Sequence, residues 1–153
     1  MGPDGSKVQI DSVFVGRMLI GPLMSALLGA HDKALAPLGI TSREGIVLLN
    51  CARREANTPV ELAFYNGLDV SSMSRMLDRL EKKALITRTR TPMDRRKVII
   101  ELTPKGLAVV KKGMAVAAEV AKVAWRNVTA RERTIFREVV SKVLGNLGHV
   151  TKS

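Results

Sequence analysis

The stretch Thr58-Pro-Val-Glu-Leu-Ala-Phe-Tyr-Asn-Gly67-Leu-Asp-Val-Ser-Ser-Met-Ser-Arg75-Met-Leu-Asp-Arg-Leu-Glu-Lys-Lys83 decides the fold. It opens on Thr58-Pro-Val-Glu61, in which a hydroxyl can take an orphan helix N–H while the glutamate reaches back, a capping box. Gly67 stands where a C′ residue would end a short helix over 59–66. Asp69 can cap the next helix, 70–83. There Met73, Leu77 and Leu80 make a buried stripe, while Ser71, Ser72, Ser74, Arg75 and Arg79 look elsewhere. A short helix, a glycine turn and a second helix with polar N-terminal positions form a helix-turn-helix candidate.

Downstream the hydrophobic period drops to two. Ile86, Arg88 and Arg90 alternate with Thr87 and Thr89, and Val98, Ile100 and Leu102 with Lys97, Ile99 and Glu101. Between them Thr91-Pro-Met-Asp-Arg-Arg96 reads as a turn with a basic tip, and the hairpin converts the helix pair into a winged helix. An α-helix fits the DNA major groove, where Ser and Arg reach base edges. A wing can place Arg in the narrow minor groove, where the potential is most negative. Upstream, helices are expected over 11–35 and over 42–54, the second opened by the box Thr41-Ser-Arg-Glu44. Thr103-Pro104 starts a long helix to about residue 126. Thr129-Ala-Arg-Glu132 opens a last helix, 130–147, whose stripe Ile135, Phe136, Val139, Val140, Val143, Leu144 and Leu147 is wider than one intramolecular contact needs.

Composition narrows the function. An apolar fraction of 46% in 153 residues excludes a disordered chain. A net charge of +11 calls for a polyanionic partner. That surplus is absent from residues 1–70, with six basic and seven acidic side chains, and begins in residues 71–105, with ten and four. One cysteine cannot bridge to anything within the chain, so a reducing cytoplasm is expected. The apolar stretch 13–30 follows two aspartates and contains Arg17 and Pro22, so it reads as a helix buried against protein, neither a signal nor a membrane span. With two histidines 118 residues apart and no Gly-rich phosphate loop, no catalytic, metal or cofactor constellation can be assembled.

From Glu61-Leu-Ala through Ser71-Ser-Met-Ser-Arg-Met-Leu-Asp-Arg-Leu-Glu-Lys-Lys83 to Asp94-Arg-Arg-Lys-Val-Ile-Ile-Glu-Leu-Thr-Pro-Lys-Gly106, the sequence resembles the MarR family of bacterial transcriptional regulators. The wing Asp94-x-Arg96 followed by Leu102-Thr103 and Gly106 is the specific part. The resemblance implies a mainly α fold with a small β-hairpin wing. It places a winged helix-turn-helix lobe at 40–104, a helical dimerisation region at 8–37 and 105–150, and flexible ends at 1–7 and 151–153. It implies a homodimer that binds a pseudo-palindromic double-stranded operator as a repressor and is released by a small ligand. Ser71, Ser72, Ser74 and Arg75 would face the major groove and Arg96 the minor groove. Asp94 would orient the wing, and Arg95 and Lys97 would contact phosphates. Two residues depart from the usual pattern: Ala84, where a glycine often turns the recognition helix into the wing, and Gly45 inside a helix.

In such proteins ligands lie between the dimerisation helices and the lobe. Arg17 is the only charge between Asp11 and Asp32, with Met24 and His31 at steps of seven along the same stripe. A buried guanidinium matches a carboxylate bidentately, so Arg17, Met24 and His31 are expected to bind an aromatic acid or phenolic effector. The competing reading has Arg17 snorkel to solvent or pair with an acidic residue of the partner subunit. Cys51 sits among Leu48, Leu49 and Ala52, as a small buried hydrophobe would. A thiol-sensing regulator of the same fold and a non-specific architectural DNA binder are the alternatives.

Overall fold

A computed structural model describes residues 15–90 and 97–149. Its α-helices are α1 (Gly21–Leu35), α2 (Ser42–Ala52), α3 (Pro59–Tyr65), α4 (Val70–Lys82), α5 (Pro104–Ala124) and α6 (Ala130–Asn146), and an antiparallel hairpin, β1 (Ile86–Arg90) with β2 (Val98–Leu102), lies between α4 and α5. The expected first helix is corrected in two respects. Residues 15–20 wind as a π-helix, and α-geometry begins only at Gly21, with Pro22 in its first turn. Pro22 has no N–H to donate, so an α-helix begins there at no cost in hydrogen bonding. A short 3-10 turn, Ala36–Leu38, then carries the chain to Gly39.

Local chemistry accounts for the other boundaries. All three capping boxes form, at Thr41–Glu44, Thr58–Glu61 and Thr129–Glu132. Asp69 caps α4 by accepting from the Ser72 N–H at 2.8 Å. Thr103 Oγ1 does the same for α5, accepting from the Gly106 N–H at 2.9 Å. At the end of α3, Gly67 adopts φ +60°, and the Leu68 N–H returns to the Ala63 carbonyl at 2.9 Å. The end of α4 repeats that geometry without glycine: Ala84 takes φ +57° and the Leu85 N–H reaches the Leu80 carbonyl at 3.0 Å.

The chain divides into two compact units, meeting in sequence at Val120 and Ala121. In the first, the most deeply buried apolar side chains are Val47 and Leu48 of α2, Leu62 of α3, Met73, Leu77 and Leu80 of α4, and Ile86 and Ile100 of the hairpin. A seven-residue α3 is marginal in isolation, and burial of Leu62 and Ala63 holds it helical. The loop before α3 joins the hairpin edge, where Asn57 O accepts the Ile100 N–H at 2.7 Å. Leu35 and Val110 bring α1 and α5 onto this core. In the second unit the Trp125 and Phe136 rings meet edge-on with centroids 5.5 Å apart.

Within the 13–30 stretch, the described side chains up to Met24 are not buried within the chain, while Leu27 and Leu28 are half-buried. Met18, Leu19, Ile20, Leu23 and Met24 are all exposed. So are Ile135, Phe136, Val139, Val143 and Leu147 of α6, as the width of their stripe predicts. No helix among the described residues is long and apolar enough to cross a membrane.

Candidate nucleic-acid interface

The N-terminal half of α4 presents its polar residues unequally. Ser71 and Arg75 are exposed, whereas Ser72 and Ser74 are half-buried. Ser72 is also occupied: its Oγ donates to Asp69 Oδ2 at 2.7 Å and accepts from Arg75 Nη2 at 3.1 Å. The Ser72 hydroxyl and, after it, the Ser72 backbone N–H both donate to the Asp69 carboxyl and hold it below its usual range. Ser72 therefore steadies the Arg75 guanidinium, and Ser71 and Arg75 are the side chains most open to a partner. Arg79, one turn on, donates from Nη1 to the Arg75 carbonyl at 3.3 Å.

Arg88 of β1 latches the wing to α4. Its Nη2 donates to Asp78 Oδ1 at 2.6 Å and to the Ser74 carbonyl at 3.4 Å, while Nε lies 3.4 Å from Glu81 Oε2. This residue was absent from the sequence-derived site. Its signal was an arginine at an inward-alternating strand position, following a helix with Asp78 and Glu81 three residues apart. Lys97 is exposed at the foot of β2. Its charge contributes to lowering the Glu61 carboxyl, after the dominant hydrogen bond from the Asn57 N–H. Asp94, Arg95 and Arg96 lie outside the described residues.

Behind α4, the first turn of α2 and the residues leading into it carry a second polar cluster. Glu44 is 1% exposed, yet its carboxyl faces two cations: Lys83 Nζ lies 2.9 Å from Oε2 and Arg79 Nε 3.6 Å from Oε1. Burial alone would raise this carboxyl. The hydrogen bonds from Lys83 and the Thr41 N–H, with the charges of Lys83 and Arg79, outweigh burial and hold it below the ordinary value. Lys83 Nζ also donates to the Gly39 carbonyl at 2.8 Å. On the other side of the loop, Asp32 Oδ1 accepts the Ser42 N–H at 2.6 Å. That bond is the main reason its carboxyl is lowered; the nearby Ser42 hydroxyl adds to the effect without reaching hydrogen-bond geometry.

Between α1, α2 and α5 lies an apolar cavity of ≈ 260 Å³. A cavity of about 150 Å³ already admits benzene, so this one has room for a substituted aromatic ring. Met24 and His31 both line it, as their shared stripe implies, and Ser42 is the other side chain with a polar atom. His31 Nδ1 bonds the Leu27 carbonyl at 2.7 Å, so a ligand bond from this ring would have to use Nε2. Arg17 has its backbone in the π-helical segment, and its side chain lies outside the described residues. Cys51 is buried, and burial pushes its thiol up to about 11. A thiol so protonated is a poor nucleophile, which argues against a sensor role. No metal-holding cluster occurs among the described residues.

Comparison with known proteins agrees with this geometry. The MarR family profile matches residues 40–98. The multiple antibiotic resistance protein MarR of Salmonella typhimurium is 35% identical over 115 residues, spanning 72% of this chain and 77% of that protein. A cysteine-to-serine variant of MarR from E. coli, crystallised with operator DNA, superposes with a TM-score of 0.80 at 30% identity, covering 88% of this chain and 96% of the other. CouR from Rhodococcus jostii, bound to p-coumaroyl-CoA, superposes with a TM-score of 0.75 at 25% identity, covering 82% and 88%.

Proposed function

The chain belongs to the MarR family of transcriptional regulators, and from that membership we propose that it is a homodimeric repressor released by a small aromatic effector. The observation that carries the DNA-reading part is the exposed pair Ser71 and Arg75 on a helix N-terminus braced by Asp69 and Ser72. Arg75 reads base edges in the major groove. Arg96, oriented by Asp94, enters the minor groove, and Arg95 and Lys97 hold phosphates. Much of the affinity is then electrostatic and falls steeply with salt.

Dimerisation draws support from the exposed apolar side chains of the first helix, Met18 to Met24, and of α6, Ile135 to Leu147. Fully burying one such side chain stabilises by about 1.5–3 kcal/mol, and a second copy of this chain supplies the cover. Sedimentation of the purified protein as a monomer at micromolar concentration would remove this part of the reading.

The effector places its ring in the apolar cavity against Met24, beside His31, and its carboxylate on Arg17. Ligand there biases the separation of the two recognition helices and so weakens the operator complex. The experiment that tests the whole reading is selection of bound sequences from a random duplex pool at physiological salt, with and without a panel of aromatic acids. A recovered palindrome, lost with one acid, is the expected result. Salt-sensitive binding without any recovered motif leaves a non-specific architectural DNA binder instead. Arg17→Ala that leaves both operator binding and effector release unchanged would end the carboxylate-clamp assignment.

A further inference from the structure

Three capping boxes occur in this chain, and they are chemically alike but not equally buried. Glu61 and Glu132 close their boxes in the open, whereas Glu44 is sealed in, the only charged side chain that is fully buried among the described residues. Capping a helix therefore does not require the burial. Removing a carboxylate from water is costly, and burial persists only where partners replace the lost hydration. Here the partners are Lys83 and Arg79, four residues apart on one face at the C-terminal end of α4. The DNA-reading residues Ser71 and Arg75 occupy the other end of the same helix. A 13-residue helix is about 20 Å long, so a small pivot at Glu44 is a larger displacement at the reading end.

We infer that Glu44 is a positioning residue for sequence reading: it clamps the C-terminal end of α4 through Lys83 and Arg79 and so sets how Ser71 and Arg75 meet base edges. The inference rests on α4 being the DNA-reading helix. Glu44 touches no DNA itself. Its clamp is reinforced by the Lys83 bond to Gly39, at the start of the loop into α2; Ile40 of that loop and Ser42 at the start of α2 line the apolar cavity. Contiguity of this kind is not coupling, which has to be measured.

A structural defect lowers the folded fraction and weakens every DNA complex alike, whereas a displaced reading end weakens the preferred sequence alone. The test is fluorescence anisotropy on the duplex recovered by selection and on a scrambled duplex of the same length, at one salt concentration. Glu44→Gln keeps the capping oxygen and removes the charge. It is expected to lower the specificity ratio about tenfold, a typical pairwise effect, while affinity for the scrambled duplex stays within about twofold. Lys83→Gln is expected to lower the ratio comparably, and the double variant to lose little more than either single one. Lys83 is half-exposed, so this variant carries the test alone if Glu44→Gln does not fold. Equal loss on both duplexes, or strict additivity in the double variant, overturns the positioning role. Arg75→Ala serves as the control. If it leaves the ratio unchanged, α4 does not read sequence, and the inference falls with that assignment.

Discussion

Two glycines inside helices should respond in opposite ways to the same added methyl group. A Cβ at Gly106 would stand 2.0 Å from the Leu85 carbonyl oxygen and 3.0 Å from its carbon, with Leu102 Cδ2 at 3.3 Å. That carbonyl cannot swing aside, because it accepts the Thr103 N–H at 3.1 Å while the Leu85 N–H is tied to Leu80 at 3.0 Å. Relief requires α5 to move away from the end of α4. Overpacking of this kind costs about 1–3 kcal/mol and more when backbone must move. Losing the Thr103–Leu85 bond adds about 1 kcal/mol, and the better helix propensity of alanine returns about 1. Gly106→Ala should therefore destabilise by roughly 1–3 kcal/mol, or about 2–12 °C in Tm for a chain of this size. At Gly45 the same Cβ meets only Ile40 Cδ1 and Leu35 Cδ1, both at 3.7 Å, which is ordinary contact. Gly45→Ala should stabilise by about 0.5–1 kcal/mol. Urea and thermal unfolding followed by circular dichroism, at one protomer concentration, measure both. A Gly106→Ala protein within 1 kcal/mol of wild type, or a Gly45→Ala protein clearly destabilised, would refute the packing argument.

Other consequences are equally direct. Ala84 holds φ +57°, a conformation costing an L-residue about 1 kcal/mol, so Ala84→Gly should be neutral or slightly stabilising in spite of glycine's entropy, as urea midpoints will register. Cys51, pushed up to about 11, should resist iodoacetamide at pH 8 in the folded protein and react readily in urea; Cys51→Ala should leave DNA binding under peroxide unchanged, and fast native labelling would contradict the burial. Glu44 has its folded value lowered, so its contribution to stability is fully present above the unfolded value of about 4.3 and is lost as pH falls through the folded value. Urea midpoints should therefore decline below about pH 4, and Glu44→Gln should flatten that decline; an unchanged slope would mean the carboxylate is not ionised in the fold.

What is legible in this sequence follows the range of the interactions involved. The capping boxes at Thr41, Thr58 and Thr129, the Asp69 cap and the Gly67 turn all join residues within five positions of one another, and each is present in the folded chain. The stripe Met73, Leu77 and Leu80 and the alternation from Ile86 to Leu102 are likewise periodicities of a single element, and the core adopts them. The first helix was less legible. Its apolar run reads as a buried α-helix, yet residues 15–20 form a π-helix and Met18, Leu19, Ile20, Leu23 and Met24 are exposed, because a hydrophobic pattern does not say which molecule covers it.

Local rules and charge distribution along the sequence were sufficient for the winged-helix lobe, its family and the serine–arginine end of α4. Only the tertiary structure decided that Ser72 braces Arg75 rather than facing outward, that Arg88 latches the wing to Asp78 and Glu81, and that Glu44 is buried under Lys83 and Arg79. The same holds for the cavity, whose walls come from α1, α2 and α5. The physical reason is separation along the chain: Lys83 meets Gly39 across 44 positions and Glu44 across 39, and no spacing rule in a single sequence encodes which distant side chains packing will bring together.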